Sequence, residues 1–299
     1  MNDTSWLWVL FTVLAAAAQT ARNAMQRELT GSLGTVGATH VRFLFGFPFV
    51  LVFLAGASVA TGVALPRPDF IFWPWALVGA LAQIFATATM LAAMGERSFV
   101  VTIAYTKTEP LHVAVFGLVF LGDRVTLPMS IAIVVATAGV MTMSWKPRTA
   151  LARSWRPIAL GIGSGALFGL SAVGFRGAIL SLGEPSFIIS ATLTLALGIV
   201  IQSLLLLVYL AARDRPVLAA IARAWRQSLF AGCMGAVASE FWFLAFALTS
   251  AANVRTLALV EVLFAQFATA IVFKQGTSER EASGLALVIA GVVLLLWAQ

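Results

Sequence analysis

Two long apolar runs of this chain each enclose a glutamate, and the two, Glu109 and Glu261, stand 152 residues apart. The stretches downstream of them are alike. After Glu109 the chain passes Asp123 and Arg124 and enters an apolar span holding Gly139. After Glu261 it passes Lys274 to Arg280 and enters a span holding Gly291, again 152 residues on. A carboxylate at bilayer depth costs roughly 3 kcal/mol or more and marks a polar path or site. Matching irregularities in two halves are the sequence trace of a transporter built from repeats. The expected protein is a carrier.

Composition sets the class. Of 299 residues, 61% are hydrophobic and only 10% charged, against about 25% charged in soluble domains. The expectation is an all-α membrane protein. A net charge of +7 does not imply nucleic acid, because the basic residues sit in short loops between apolar spans, where positive charge orients a membrane protein. The single cysteine, Cys233, excludes an intrachain disulfide or a cysteine metal cluster. Met1 to Ser5 lacks the basic start of a signal peptide, so the first span is expected to be retained. There is no HExxH and no Walker sequence, and only two histidines. Neither an enzyme, an ATP-driven pump, a metal nor a cofactor is expected.

At about 20 residues per span, ten helices fit: Trp6–Met25, Thr35–Leu54, Trp75–Ala93, Phe99–Leu121, Pro128–Trp145, Ile158–Leu180, Phe187–Ala212, Leu229–Leu248, Ala251–Phe273 and Ser283–Trp297. Eight of the nine tryptophans fall at span ends, as interfacial anchors do; Trp242 lies deep in the eighth. The repeat boundary falls near 146–156, dividing the chain into 1–148 and 149–299. Five is odd, so the second copy enters the membrane from the other side, and the expectation is two inverted five-helix repeats around a central cavity. A Ser-Leu-Gly triplet follows the first helix of each half, Ser32–Gly34 and Ser181–Gly183.

Residues able to carry chemistry cluster in six helices. In the fourth, Tyr105, Thr108, Glu109 and His112 have the spacing of one face, with Lys107 on its flank and Pro110 positioned to kink the helix. Lys107 or His112 is the expected bonding partner of Glu109 if that carboxylate is structural. The eighth holds Ser239, Glu240, Trp242 and Phe246; the ninth Asn253, Arg255, Thr256, Glu261 and Gln266. Gln19, Thr20, Arg22, Asn23 and Gln26 lie in the first and Gln83, Thr87 and Thr89 in the third. His40 and Arg42 are near one end of the second, where Arg42 is expected to snorkel to the surface. Gly161, Gly165 and Gly169 form a small-residue stripe on the sixth helix, matched on the first by Thr12, Ala16 and Thr20, and such stripes let helices approach closely. The candidate substrate-binding set is Gln83, Tyr105, Lys107, Glu109, His112, Glu240, Trp242, Phe246 and Glu261. A zwitterion needs one partner of each sign and an aromatic solute a flat wall; Lys107 or Arg42, Glu109 or Glu261, and Trp242 with Tyr105 supply them. The same carboxylates and rings suit a cationic drug.

Ten spans, the inverted duplication and the chain length resemble the drug/metabolite transporter superfamily in its EamA-type branch, over the whole chain. The most specific trace is the end of the first half: Pro110 near mid-helix, the Gly122-Asp123 turn, then a span with Gly139. The second half departs from it, with Val262 for the proline and Gln275 for the acid. Within that branch the sequence is most similar to bacterial exporters of aromatic amino acids. The resemblance implies a multi-pass protein of the bacterial inner membrane that moves amino acids and related metabolites, with a small-molecule solute and the lipid bilayer as partners. A proton-driven exporter of cationic metabolites, a channel, and an intramembrane enzyme using Glu109 and His112 as acid and base are the alternatives.

Loop charge orients the chain. Arg27, Arg97, Lys146, Arg148, Arg153, Arg156, Arg213, Arg215, Arg223, Arg226, Lys274 and Arg280 fall on one side, and only Arg67 and Arg124 on the other. The positive-inside rule puts the twelve in the cytoplasm and both termini outside. A fluorescent protein that matures only in the cytoplasm should stay dark when fused after Gln299; a bright fusion overturns the topology.

Overall fold

The computed structural model describes residues 6–96, 105–144, 155–184, 186–264 and 278–298. Among them the chain is helical and contains no strand. The elements are α1 (Leu7–Leu44), α2 (Phe47–Thr61), α3 (Phe72–Glu96), α4 (Glu109–Phe116), α5 (Leu127–Ser144), α6 (Arg156–Ser181), α7 (Phe187–Arg213), α8 (Arg215–Arg223), α9 (Trp225–Leu248), α10 (Ala251–Leu257) and α11 (Glu279–Trp297). Six stretches are long and apolar enough to cross a membrane: Leu7–Thr61, Phe72–Gly95, Arg156–Ser181, Phe187–Arg213, Trp225–Leu248 and Glu279–Trp297. Glu109–Leu121 and Leu127–Met143 are shorter apolar helices.

The surface is inverted relative to a water-soluble protein. Val52, Val119, Val208 and Phe85 are more than half exposed, while Arg22, Arg42, Lys107, Glu109, Arg255 and Glu261 are buried. Charged residues of soluble proteins are almost never buried so fully. Lipid is the solvent that makes this arrangement favourable, and the chain is an α-helical membrane protein.

α1 is a hairpin, not a rod. Gly34 has φ 66° and ψ 175°, a backbone region essentially restricted to glycine. Gln26 Nε2 donates to Ala38 O at 3.0 Å, although twelve residues of straight helix would separate them by about 18 Å. The expected first helix therefore runs on to the Gly34 reversal, and the expected second span begins just after it. That second span is interrupted at Phe45–Gly46, where Pro48 lacks the N–H that would continue the ladder. The segment expected as a plain loop after α7 contains α8, whose Ile221 packs under the hairpin with Leu29 and Leu33.

The most extensive helix contacts are α3 on α6, α1 on α9 and α5 on α11. The first needs small residues: a Cβ on Gly174 would come within 2.7 Å of Gly79 N, and Gly79 itself faces the Phe175 ring. The stripe read from the sequence serves another neighbour. Gly165 and Gly169 receive α4, and a Cβ on Gly165 would stand 2.7 Å from Thr106 O and 3.3 Å from Glu109 N. Of the expected interfacial tryptophans, Trp6, Trp73, Trp155, Trp225 and Trp297 are exposed, Trp75 is half-buried and Trp8 is buried, and Trp145 lies outside the described residues; Trp242, expected deep in its helix, is 2% exposed.

Gly165→Leu should lower the thermal stability of the purified protein by about 1–3 kcal/mol or more, the usual cost of overpacking. Gly163→Leu, whose added Cβ meets nothing within 4 Å, should melt with the parent. Equal melting of both variants would show that the close approach at Gly165 is incidental.

Candidate functional site

The helix ladder breaks just before each of the two glutamates. Tyr105 and Thr106 are helical, Lys107 and Thr108 form a turn, and α4 opens at Glu109 with Pro110 in its first turn. Thr108 N donates to Tyr105 O at 3.2 Å and Leu111 N to Thr108 O at 3.2 Å, so the chain closes tighter three-residue turns where the proline removes a donor. In the second half α10 tightens to a 3-10 turn, Ala258–Val260, immediately before Glu261. The irregularity recurs there although Val262 stands in the place of Pro110. One continuous helix through 99–121 is therefore not what the described part, from Tyr105 on, forms, nor is one from Ala251 through Glu261.

The breaks set four charges against each other in crossed pairs. Lys107 Nζ lies 2.5 Å from Glu261 Oε2. Arg255 Nε lies 2.9 Å from Glu109 Oε1, close enough for an ion pair, though the N–H is not aligned as a hydrogen bond and neither atom has another such partner. Both expected partners of Glu109 are engaged elsewhere: Lys107 takes Glu261, and His112 Nδ1 sits 3.0 Å from Thr108 O of its own turn. All four paired groups are at most 7% exposed. Breaking one such pair typically costs about 3–5 kcal/mol, because it leaves a buried charge uncompensated.

Around this quartet lies a cavity lined by Gln19, Arg22, Asn23, Met90, Thr106, Lys107, Glu109, Phe168 and Arg255. Its free volume of about 10 Å3 is that of a single water. The Arg255 guanidinium stacks on Trp242 at 4.3 Å and on Phe246 at 5.2 Å, and those two rings stack on each other at 6.4 Å. Trp242 Nε1 donates to Gln19 Oε1 at 3.0 Å. The aromatic pair thus forms the bed of an arginine. Arg22 is 1% exposed; its Nε and Nη2 donate to Asn23 Oδ1 at 3.2 and 2.7 Å, while Nη1 has no partner.

The remaining candidates lie outside this lining. Gln83 Oε1 accepts from Gln202 Nε2 at 2.8 Å between α3 and α7. Glu240 Oε1 accepts from Thr192 Oγ1 at 2.5 Å. Tyr105, like these, is not among the lining residues, though its carbonyl closes the turn at Thr108. Arg42 does not snorkel: it is 3% exposed and donates from Nη1 to Thr87 Oγ1 at 3.1 Å. Gln266 lies outside the described residues. Of the lining residues the candidate set holds only Lys107 and Glu109; among those it omits, Gln19, Arg22, Asn23 and Arg255 carried one usable signal, a basic or amide side chain inside an apolar span, and Met90, Thr106 and Phe168 carried none. Among the described residues a third ion pair spans the halves, away from the cavity. Arg176 Nη2 donates to Asp123 Oδ1 at 3.2 Å, and its Nη1 donates to Phe246 O and Thr249 O at 2.9 Å each.

No family model and no curated protein matches the sequence. The fold has solved counterparts: one crystal structure superposes over 99% of this chain and 97% of its own with a TM-score of 0.70 at 13% sequence identity. At that identity the likeness concerns the fold alone.

Glu109→Gln should leave Arg255 uncompensated and melt lower, and transport should be lost. Adding Arg255→Gln should recover stability without recovering transport, whereas adding Lys107→Met should recover neither. Transport at the parental rate in Glu109→Gln from about pH 5 to 8 would leave the carboxylate a purely structural partner.

Proposed function

We propose that this protein is a solute carrier of alternating-access type, moving small organic solutes that bear a carboxylate, amino acids and related metabolites among them. Its ten spans are read as two inverted five-helix repeats, in a bacterial inner membrane. The observation that carries the reading is the pair of helix breaks at Glu109 and Glu261, which places crossed ion pairs from the two halves around a buried polar cavity. Broken helices whose ends meet at mid-membrane are the usual construction of a carrier site. The helix pairing supports the repeat, since α1 on α9 and α3 on α6 exchange corresponding helices between halves.

The alternatives have less support. A channel needs a continuous polar path, whereas this cavity holds about one water and is closed by paired charges. An enzyme using Glu109 and His112 would need both at one reacting atom, and His112 is tied to its own turn outside the lining. A cationic drug would need a free carboxylate or a bare aromatic face, but Glu109, Glu261, Trp242 and Phe246 are all engaged by Lys107 or Arg255.

The test is flux through the purified protein in liposomes. Uptake of a labelled amino or organic acid from a panel should saturate, and unlabelled solute trapped inside should accelerate it several-fold. Flux that rises linearly with concentration and ignores trapped solute would make the protein a channel.

A further inference from the structure

Five basic residues lie away from the loops, Arg22, Arg42, Lys107, Arg176 and Arg255, and three of them have a carboxylate: Glu261, Asp123 and Glu109 take Lys107, Arg176 and Arg255. Among the described residues, Arg22 and Arg42 have none within ion-pair distance. The sequence itself limits where one can be found. Its twelve acids include none in 97–104, 145–154 or 265–277, and two, Asp3 and Glu96, whose side chains lie outside those described. Glu28, Asp69, Asp214 and Glu279 are exposed, Glu184 and Glu281 accept from backbone or hydroxyl groups at helix starts, and Glu240 is bonded to Thr192.

The two arginines are neighbours. Arg42 Cγ and Arg22 Cδ would lie 3.3 and 3.4 Å from a Cβ on Gly235, so both side chains fill the space that this glycine leaves. The interior thus holds four buried cations, Arg22, Arg42, Lys107 and Arg255, to the two carboxylates Glu109 and Glu261; Arg22 is among the cavity-lining residues, and its Nη1 has no hydrogen-bond partner. Unpaired buried charges are rarely retained inside a membrane unless they face a substrate or ion path.

We propose that Arg22 and Arg42 form an anion site, and that the carried solute is a net organic anion whose carboxylate is taken by the Arg22 guanidinium. The proposal rests on the carrier reading and narrows it. A carboxylate matches the planar fork of arginine in both shape and charge. At this cavity an ammonium on the same solute finds no free acid, since Glu109 and Glu261 are already engaged by Arg255 and Lys107. Removal of the amino group from an otherwise identical molecule should therefore strengthen binding. Arg42, held on Thr87, adds the second positive charge that makes the site favour an anion over a zwitterion. The cavity of about 10 Å3 must widen to admit such a solute, as an alternating-access cycle requires.

One carbon skeleton in three charge states tests this. The purified full-length protein is titrated with 3-phenylpropionate, phenylalanine and 2-phenylethylamine, and with propionate, alanine and ethylamine, following tryptophan fluorescence and thermal melting. In at least one series the acid should bind ten-fold or more tighter than the amino acid, and the amine not at all. Arg22→Gln should weaken the acid ten-fold or more, with Arg22→Lys between it and the parent. Without ligand Arg22→Gln should melt no lower than the parent, because it removes a buried charge that has no carboxylate within ion-pair distance. An amino acid or amine that equals the acid, an acid that binds in neither series, or unchanged affinity in Arg22→Gln overturns the site. Inorganic phosphate binding as tightly as the acid overturns its carboxylate assignment. The ligand series needs no variant to fold. Saturable flux of phenylalanine with no preference for 3-phenylpropionate would remove the anion site and leave the carrier. Acid binding without flux of any solute would do the reverse.

Discussion

A charge buried inside a membrane protein is costly unless a partner within the protein or a polar path compensates it. The crossed pairs Lys107–Glu261 and Glu109–Arg255 meet that demand with partners drawn from opposite halves of the chain. Neither half satisfies its own glutamate through these contacts. The two halves are thereby interlocked, and α4 and α10 must meet for either to be stable. The desolvation cost of several kcal/mol per ion makes this the interaction to which local backbone geometry is subordinate. The turn at Lys107–Thr108 and the 3-10 turn at Ala258–Val260 each interrupt a helix where regular geometry would otherwise continue.

The surrounding packing serves the same demand. Gly165 and Gly169 let the backbone from Thr106 to Val113 lie directly on α6, fixing the height of Glu109. Trp242 and Phe246 form a bed under Arg255, a cation–π contact worth about 2 kcal/mol when desolvated. Gln19 holds the indole of Trp242 from α1. Arg176 then ties the end of α9 to the Gly122-Asp123 turn, satisfying carbonyls that a helix terminus leaves without intrahelical partners.

The membrane class and most helix positions were legible because long apolar runs, Gly34 and Pro110 act locally. Glu109 and Glu261 were legible as a pair because their environment repeats at a fixed offset. Their partners were not. Lys107 is two residues from Glu109, and sequence proximity favoured that match, but a turn sends the lysine to the other half. Arg255 sits six residues before Glu261, with no counterpart at that offset before Glu109, so no repeat signal marked it. Trp242 and Phe246 read correctly as one helical face, yet periodicity could not tell a solute wall from an arginine bed. Arg42 read as a snorkelling residue because it lies close to one end of an apolar span. The Gly34 hairpin and α9 bury it instead.

The arginines of the interior differ in how they are held, and the difference separates structural cations from available ones. Arg176 reaches three oxygens on two other segments. Arg255 has a carboxylate on one side and two rings on the other. Arg22 has only Asn23, the next residue of its own helix, and adjacent helical residues do not face each other. Its guanidinium must therefore bend round its own helix to find that amide; the side chain packs at Gly235 of α9 but makes no hydrogen bond to another helix. A residue placed to stabilise packing would be expected to make its bonds between elements, as Arg176 does. Arg22 uses its bonding capacity locally, lines the cavity with one nitrogen left without a hydrogen-bond partner, and has no carboxylate within ion-pair distance, although Glu261 and Glu109 lie near enough to act on its charge. That combination is coherent for a group whose partner arrives from outside the chain.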